Sequence, residues 1–292
     1  MKNDAFPTLG DRDISAIEAP EIIVVIKKVS ARGAIDAAKR VKGFIQQVFD
    51  YAVAHGKASR NPAKDVNLRM ILPKTIKKHY ASIKEPEHLA QLLRAIDEYH
   101  GTVQVKCALK LFPLVMVRPT ELTSAVWSEF DLDKNIWVIP ATRRKLLRHI
   151  KEANKPEDAH IVPLCDQAIE ILKYLQQYTG NSDYLFPSVR TRTRPISNDT
   201  IRSVLRVMGF DNNTITAHGF GGIASTFLNT LGYRSDVIEA QLSHKDKNEI
   251  RSAYNHADYM EERKVMLQEW ADYMDGLKNG VDNVVPIKRS AS

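Results

Sequence analysis

Five side chains that could bind an anion, transfer a proton or act as a nucleophile follow one another in the later part of the chain. They are, in order, Arg118, a lysine between two predicted strands, His218, His244 and Tyr254. Each alone says little, because an arginine usually forms a surface ion pair, a histidine completes a hydrogen bond and a tyrosine packs in a core. The order of the set and the sequence that flanks each member are what indicate a function.

Other common chemistries lack their motifs. The sequence contains no P-loop and no GxGxxG, HExxH or GxSxG pattern. No group of carboxylates suggests a Mg²⁺ site, which disfavours a two-metal nuclease or polymerase. We therefore expect no metal, no cofactor and no small-molecule substrate.

The composition is that of an ordinary globular protein, with 43% hydrophobic and 26% charged residues among 292. This length suggests about two domains. The apolar run from Ile22 to Ile26 is too short to span a bilayer, and the N-terminus lacks the apolar region of a signal peptide. Two cysteines, Cys107 and Cys165, cannot form a disulfide scaffold. We expect a cytoplasmic protein without membrane contacts.

The net charge of +7 arises in the first part of the chain. Residues 1–80 contain 15 Lys and Arg against 8 Asp and Glu, whereas the remainder contains 27 of each. A basic segment suits a polyanion such as double-stranded DNA, although a solvated basic surface on an unrelated domain would show the same excess. The candidate DNA-contacting residues are Lys39, Arg40 and Lys42 in a predicted helix and Lys74, Lys77 and Lys78 in a predicted linker.

Helical periodicity dominates, and strands are predicted only within residues 131–164. Apolar residues at helical spacing, among them Phe44 and Val48, predict a helix over 34–54. Further helices are predicted over 20–29, 86–99, 102–116, 165–177, 197–208, 217–230, 234–242, 247–255 and 257–275. The expected fold class is α+β, mainly α with a small β-sheet.

Several segments resemble the tyrosine recombinases, or phage integrases, of the type carried by P4-like prophages. VRPTELTSAVWSEFDLD, which contains Arg118, resembles the segment around that family's first catalytic arginine. TAHGFGGIASTFLN resembles its His-x-x-Arg box, and the segment from QLSH to WADY resembles its end, where a histidine precedes the nucleophilic tyrosine by ten residues. FPTLGDRDISAI and QVFDYAVAHGKASRNPA resemble its helical core-binding domain. The likeness covers residues 5–275, nearly the whole chain.

The resemblance implies a reaction at a DNA phosphodiester. Tyr254 would attack the phosphorus atom to give a 3′-phosphotyrosyl link and a free 5′-hydroxyl, so that strands can be exchanged without ATP. Arg118 would hold the non-bridging oxygens, and a lysine would protonate the leaving oxygen. His218 would assist proton transfer, and His244 would hydrogen-bond the phosphate. No metal is needed, because cationic side chains carry the charge of the transition state.

Three positions remain open for the lysine. In the family it lies in a tight β-hairpin shortly after an IPA segment, and Lys145 in IPATRRKLLRH fits that place. Because this hairpin is longer here before HIVPL, Lys151 and Lys155 are alternatives.

The His-x-x-Arg box departs from the family pattern. It reads His218-Gly219-Phe220-Gly221, so glycine stands where the family has its second catalytic arginine. Loss of one preorganised donor typically costs about 10²–10³ in rate. The adjacent pair Gly221 and Gly222 should also loosen the helix that presents His218.

The expected organisation is that of an N-terminally truncated integrase. It comprises a partial core-binding domain over 1–72, a basic linker over 73–84, a catalytic domain over 85–276 and a disordered tail over 277–292. The arm-type DNA-binding domain, which members of the family carry before the core-binding domain, would be missing.

The expected function is site-specific recombination for prophage DNA integration, performed by a homotetramer on double-stranded attachment sites. Activity would be impaired by the glycine at position 221 and by the missing arm domain. One alternative is a catalytically dead DNA-binding remnant that occupies attachment sites or interferes with an intact integrase. Another is a monomeric enzyme similar to a type IB topoisomerase.

Overall fold

The structure is a computed structural model that describes residues 1–73, 81–243 and 259–280. The chain divides into two compact units, Met1–His79 and Tyr80–Ser292, and each has its own hydrophobic core. Within the described residues, helices predominate and the strands form a three-stranded antiparallel sheet. The expected α+β class, mainly helical with a small sheet, is confirmed.

The first unit is helical. Its helices are α1 (Phe6–Leu9), α2 (Ala19–Ala31), α3 (Ile35–Ala54) and α4 (Leu68–Ile71). The contact between α2 and α3 forms most of its core, and α3 contributes a buried stripe centred on Val41, Ile45 and Phe49. Phe44 and Val48, which share the helical periodicity, lie beside that stripe, and each stays 50% exposed.

The second unit contains nine helices in its described part. They are α5 (Pro86–Glu98), α6 (Val103–Val115), α7 (Pro119–Thr123), α8 (Arg148–Ala153), α9 (Asp166–Thr179), α10 (Asn198–Val207), α11 (Gly219–Thr230), α12 (Ser235–Gln241) and α13 (Met260–Asn279). The helix predicted over 247–255 lies outside the described residues. In those parts of the chain that the structure describes, no helix has both the length and the apolar character needed to cross a membrane.

The last helix extends beyond its predicted end. The sequence suggested a disordered tail from residue 277, but α13 continues to Asn279. Lys278 Nζ lies 3.1 Å from a carboxylate oxygen of Asp97 on α5 and 3.1 Å from one of Asp275. These ion pairs tie the final turn of α13 to α5, a tertiary contact that local sequence composition does not reveal.

The sheet contains β1 (Phe130–Asp131), β2 (Ile136–Ile139) and β3 (His160–Pro163) in that order. Trp137 on β2 pairs with Val162 on β3, and both side chains are fully buried. The connection between β2 and β3 is long, as expected, and it contains the short helix α8.

The end of α6 positions the segment that carries Arg118. Trp270 of α13 is fully buried and donates its indole N–H to the carbonyl of Pro113, in the last turn of α6, over 3.0 Å. Carbonyls in a last turn lack partners within the helix, so this contact satisfies one of them. Met116 then takes the left-handed conformation, with φ 55°, and ends α6 two residues before Arg118.

The α11 helix is continuous through Gly221 and Gly222, so the expected loosening of this segment does not disrupt it. Residues just before α5 pack closely against its glycines. A Cβ on Gly219 would lie 2.4 Å from the carbonyl oxygen of Ala81, and one on Gly222 would lie 3.3 Å from Cβ of Ser82. Two of the glycines therefore allow residues 81–82, which the sequence placed in the linker, to pack against the helix.

We expect Gly219→Ala to destabilise the second unit by about 1–3 kcal/mol, because the added methyl group would overlap a backbone oxygen. Unfolding in urea, followed by tryptophan fluorescence, measures this directly, since all three tryptophans lie in this unit. Gly221→Ala, in the same helix, is the matched control. Its Cβ would meet only the end of the Leu242 side chain, at 3.3 Å. Equal losses from both substitutions would contradict the packing described here.

Candidate functional site

The turn between α6 and α7 fixes Arg118. Arg118 directly precedes Pro119, and its backbone N–H donates to Oε2 of Glu121 over 2.9 Å. Its Nη1 donates to Oε1 of the same carboxylate, also over 2.9 Å. Glu121 is only 2% exposed, whereas the Arg118 side chain is 28% exposed. One carboxylate therefore fixes both the backbone and the guanidinium of Arg118 and leaves part of that guanidinium open to solvent.

Ser243 is the point at which distant segments meet. Its carbonyl accepts from Nη2 of Arg118 over 2.9 Å, and its hydroxyl accepts from Nη2 of Arg144 over 2.8 Å. Its backbone is left-handed, with φ 55°, which costs a residue other than glycine about 1–2 kcal/mol. Two guanidinium groups thus hold Ser243, which directly precedes His244, in a strained conformation.

His218 and Lys145 belong to the same cluster of charges. Partial burial lowers the pKa of His218, and the nearby cations Lys145 and Arg118 lower it further. His218 lies directly before α11, and exposed Lys145 lies between β2 and α8. In the folded chain the charges of Lys145 and Arg118 therefore act on the His218 imidazole, although the three residues are far apart in the sequence.

The alternative lysines do not appear among the groups that perturb His218. Lys151 is half-buried on α8, and Lys155 lies 3.9 Å from Glu157. The electrostatic contact with His218 therefore favours Lys145 over both.

A buried polar network anchors the end of α12 next to the site. Gln241 is fully buried, and its Nε2 donates to the carbonyl of Val115 over 2.9 Å. Its Oε1 accepts from Nε and Nη2 of Arg263 over 2.9 and 2.7 Å. Its backbone carbonyl accepts from Nε2 of His160 over 3.1 Å. Three segments, the end of α6, β3 and α13, are thus linked through Gln241, the first and the last by its amide side chain and β3 by its backbone carbonyl.

Burial shifts both ionisable groups of this network. Arg263 is 5% exposed, and burial lowers its pKa to about 10. Its Nη2 also donates to the carbonyl of Ile161 over 2.7 Å, so its acceptors in this network are neutral oxygens. Burial, helped by the charges of Arg263 and Arg144, holds the pKa of His160 well below its usual value. His160 is therefore a neutral structural donor.

His244 and Tyr254 lie in residues 244–258, outside the described residues. The two ends of that segment are nevertheless fixed. Gln241 and Arg263 are bonded directly to each other, and the Tyr259 hydroxyl donates to Oδ2 of Asp236 over 2.9 Å. The described residues on both sides of this segment are therefore held by hydrogen bonds, and Ser243, on its N-terminal side, is bonded to Arg118.

Position 221 contributes no cation. A Cβ on Gly221 would lie 3.3 Å from Cδ2 of Leu242, the residue before Ser243. The side of α11 that carries residue 221 therefore faces the segment that leads into the site. A longer side chain at this position would have to displace the flexible end of Leu242.

The candidate DNA contacts of the first unit have local partners. Lys39 is exposed and lies 3.0 Å from Asp36, and Lys42 donates to Oε1 of Gln46 over 2.6 Å. Arg40 is exposed at the start of α3. Exposed ion pairs contribute little to stability, so such lysines can exchange a carboxylate for a phosphate at small cost. Lys74, Lys77 and Lys78 lie outside the described residues.

Sequence reasoning missed five residues of the site. Each has a polar side chain that is buried or takes part in the hydrogen bonds of the site. They are Glu121, Arg144, Gln241, Ser243 and Arg263. For Arg144 the available signal was its position directly before Lys145 in a run of basic residues. In the parts of the chain that the structure covers, no group of three or more His, Cys, Asp or Glu side chains could hold a metal ion.

Family models match most of the chain. The phage integrase central domain matches residues 1–69, and the phage integrase family matches residues 84–261. The integrase of Enterobacteria phage P4 is 38% identical over 94% of this chain, and the prophage integrase IntA of Escherichia coli K12 is 35% identical over 96%. The chain spans 63% and 64% of the length of these two relatives. It belongs to the phage integrase family, the tyrosine recombinases.

Solved structures share the fold. A lambda integrase dimer bound to a COC′ core site has a TM-score of 0.61 at 15% identity and covers 89% of this chain and 86% of its own. The Tn1549 transposon integrase in complex with a circular intermediate DNA has a TM-score of 0.58 at 12% identity and covers 86% and 84%. At these identities the likeness concerns the fold alone.

We expect His218 to titrate below the usual histidine range, and Lys145→Met to raise its pKa because one repelling cation is removed. Titration of the imidazole signals by NMR measures the shift. Lys151→Met and Lys155→Met serve as controls and should leave the His218 pKa unchanged. If either control raised the His218 pKa and Lys145→Met did not, the lysine near His218 would be Lys151 or Lys155 instead of Lys145.

We expect Gln241→Leu to destabilise the second unit by about 3 kcal/mol, because it leaves the buried guanidinium of Arg263 without its main acceptor. Adding Arg263→Met should then cost much less than it does alone, since the charge that needed the acceptor is gone. Urea unfolding of the singles and the double measures the coupling. Gln176→Leu, an exposed position on α9, is the control. Additive losses would argue against direct coupling.

Proposed function

We propose that this protein is a site-specific DNA recombinase that cleaves DNA through a 3′-phosphotyrosyl intermediate. The observation that supports the proposal best is the cluster formed by Arg118, Lys145 and His218 within segments of the phage integrase family. Several neighbouring cationic side chains, one of them the partly exposed Arg118, suit the binding of a phosphodiester. The negative charge on the oxygens of a phosphodiester grows in the transition state.

In the proposed reaction the phenolic oxygen of Tyr254 attacks the phosphorus atom. A bond forms between that oxygen and phosphorus, and the bond from phosphorus to the 5′-oxygen breaks. Arg118 binds the non-bridging oxygens, while His244 donates a hydrogen bond to the phosphate. The covalent link conserves the energy of the broken bond, so that a second 5′-hydroxyl can reverse the step on another strand.

Proton transfer completes the step. The Tyr254 proton leaves toward a base, and His218 is suited to this role because its lowered pKa keeps it neutral near pH 7. Lys145 gives a proton to the departing 5′-oxygen. The same cations that lower the pKa of His218 also hold the phosphate, so the base stays unprotonated while the site stays positive.

The proposed partner is double-stranded DNA at attachment sites. The lambda and Tn1549 integrases with this fold were solved on DNA, one of the lambda structures as a tetramer bound to a Holliday junction. We propose a homotetramer on two duplexes in the cytoplasm, with Lys39, Arg40 and Lys42 of the first unit at the DNA backbone and the basic residues Lys74, Lys77 and Lys78 alongside.

A second candidate follows from Gly221. If the phosphate site cannot work without a guanidinium at this position, the protein is a DNA-binding remnant that occupies attachment sites or interferes with an intact integrase. Such a protein would bind DNA in a salt-sensitive manner but would not cleave it.

We expect the full-length chain to form a covalent adduct with a pool of nicked duplexes whose central sequence is randomised. The nick lets the short cleaved strand diffuse away, which traps the adduct, and sequencing the captured strands identifies the site. Tyr254→Phe should form none, because it lacks the attacking oxygen. Gly221→Arg should raise the rate, by up to about 10²–10³-fold if nothing replaces the missing donor.

The recombinase proposal would be overturned if both the wild-type chain and Gly221→Arg bound DNA in a salt-sensitive manner but formed no adduct. An adduct from Gly221→Arg alone would support the remnant, since one substitution would then restore the chemistry.

A further inference from the structure

The phosphate site has a second guanidinium that the sequence did not predict. Arg144 lies between β2 and α8, directly before Lys145, and only 8% of its surface is exposed. Its Nη2 donates to the Ser243 hydroxyl over 2.8 Å, and its Nη1 donates to the carbonyl of Asp158. Among the described residues, its Nε–H has no acceptor. The guanidinium is thus buried and incompletely satisfied.

The neighbouring Arg143 shows what a structural arginine looks like in the same segment. Its Nη1 lies 2.9 and 2.7 Å from the two carboxylate oxygens of Glu129 and donates to the carbonyl of Ser124 over 2.7 Å. The Nε–H of Arg143, like that of Arg144, has no acceptor among the described residues, but Arg143 has a buried carboxylate of its own. The hydrogen bonds of Arg144 within the described part of the chain go to neutral oxygens. Buried charges are normally paired, so this difference calls for an anion near Arg144.

The charges around Arg144 point the same way. Burial lowers the pKa of Arg144, the carboxylate of Glu121 raises it, Arg118 lowers it further, and the carboxylate of Asp158 raises it. Glu121 already accepts two hydrogen bonds from Arg118. The described part of the site thus holds three cations, Arg118, Arg144 and Lys145, beside the carboxylates of Glu121 and Asp158, and the hydrogen bonds of Arg144 there go to neither carboxylate. A phosphodiester would supply the missing negative charge.

The position of Arg144 suits that ligand. Arg144 and Arg118 both place an Nη2 on Ser243, one at its hydroxyl and the other at its carbonyl, so the two guanidinium groups converge on one residue. Hydrogen bonds to a charged oxygen are about twice as strong as those to a neutral one. A phosphate with two non-bridging oxygens would therefore outcompete Ser243 for both groups.

We propose that Arg144 binds the scissile phosphate and supplies the second guanidinium of the site, where α11 carries glycine at position 221. The proposal rests on the recombinase function proposed above and changes its expected consequence. Arg144, which lies between β2 and α8, then replaces the guanidinium that is missing at position 221, and the chain retains DNA strand cleavage.

The first test is a suppression experiment on the captured DNA site, which measures adduct formation by the full-length chain. Arg144→Met should lower the rate by about 10²–10³-fold, the cost of one preorganised donor. Gly221→Arg should change the wild-type rate by less than about tenfold but restore Arg144→Met to within about tenfold of wild type. The control is Arg94→Met, an exposed arginine of α5 that donates to the Lys278 carbonyl, and it should leave the rate unchanged.

A substrate without charge at the scissile position distinguishes phosphate binding by Arg144 from a merely structural role. A methylphosphonate at the scissile position has no negative charge to neutralise, so the defect of Arg144→Met should shrink to less than about tenfold. An undiminished defect would show that Arg144 supports the fold rather than the phosphate. Urea unfolding identifies any loss of folding, and Arg144→Lys, which keeps the charge but not the planar fork, should lie between wild type and Arg144→Met.

Failure of this proposal can be distinguished from failure of the recombinase. A wild-type chain without adduct, beside an active Gly221→Arg, overturns compensation by Arg144 and leaves the family chemistry intact. If no variant forms an adduct, the proposal is tested by measuring how tightly Tyr254→Phe, with and without Arg144→Met, binds a random-sequence duplex at several salt concentrations. Loss of one phosphate contact should reduce the magnitude of the slope of log affinity against log salt by about 0.9 in Arg144→Met. An unchanged slope overturns the proposal.

Discussion

The structure depends on positive charge that the protein neutralises only in part. Among the described residues of the site, the carboxylate of Glu121 accepts hydrogen bonds from both the backbone and the side chain of Arg118, and the carboxylate of Asp158 acts on Arg144 without a hydrogen bond to it. Removing charges from water costs several kcal/mol for each ion unless another charge compensates. The arrangement therefore favours a bound anion, and in the proposed function that anion is the phosphodiester of DNA.

The same constraint explains why the site is supported by neutral hydrogen bonds. Arg263 and His160 are buried beneath it, and both meet Gln241 rather than a carboxylate. A carboxylate here would cancel part of the field at the phosphate, whereas an amide satisfies the donors and leaves the field in place. The network also fixes Gln241 and Arg263, which lie on either side of residues 244–258 in the sequence, so one set of contacts serves both stability and positioning.

Glycine at position 221 has two consequences. It places no cation on α11 where the resemblance leads one to expect an arginine, and it leaves that side of the helix close to Leu242. The glycines at 219 and 222 have a different effect, because they let residues 81–82 approach the helix closely. In the proposed compensation, the helix position that lacks a charge and the guanidinium of Arg144 lie on different elements, and they contact the neighbouring residues Leu242 and Ser243.

The sequence by itself determined the family, the mainly helical fold with its small sheet and the extents of most helices, because apolar periodicity and ordered motifs are local properties. It also indicated Arg118, His218 and the glycine at position 221. Only the tertiary structure shows that the charge of Lys145 acts on His218, that α13 extends to Asn279, and that Arg144, Ser243, Gln241 and Arg263 lie around the site. Those contacts join residues up to 126 positions apart, and burial gives them their importance. Burial is a property of the packed chain, so a single sequence read along its length does not contain it.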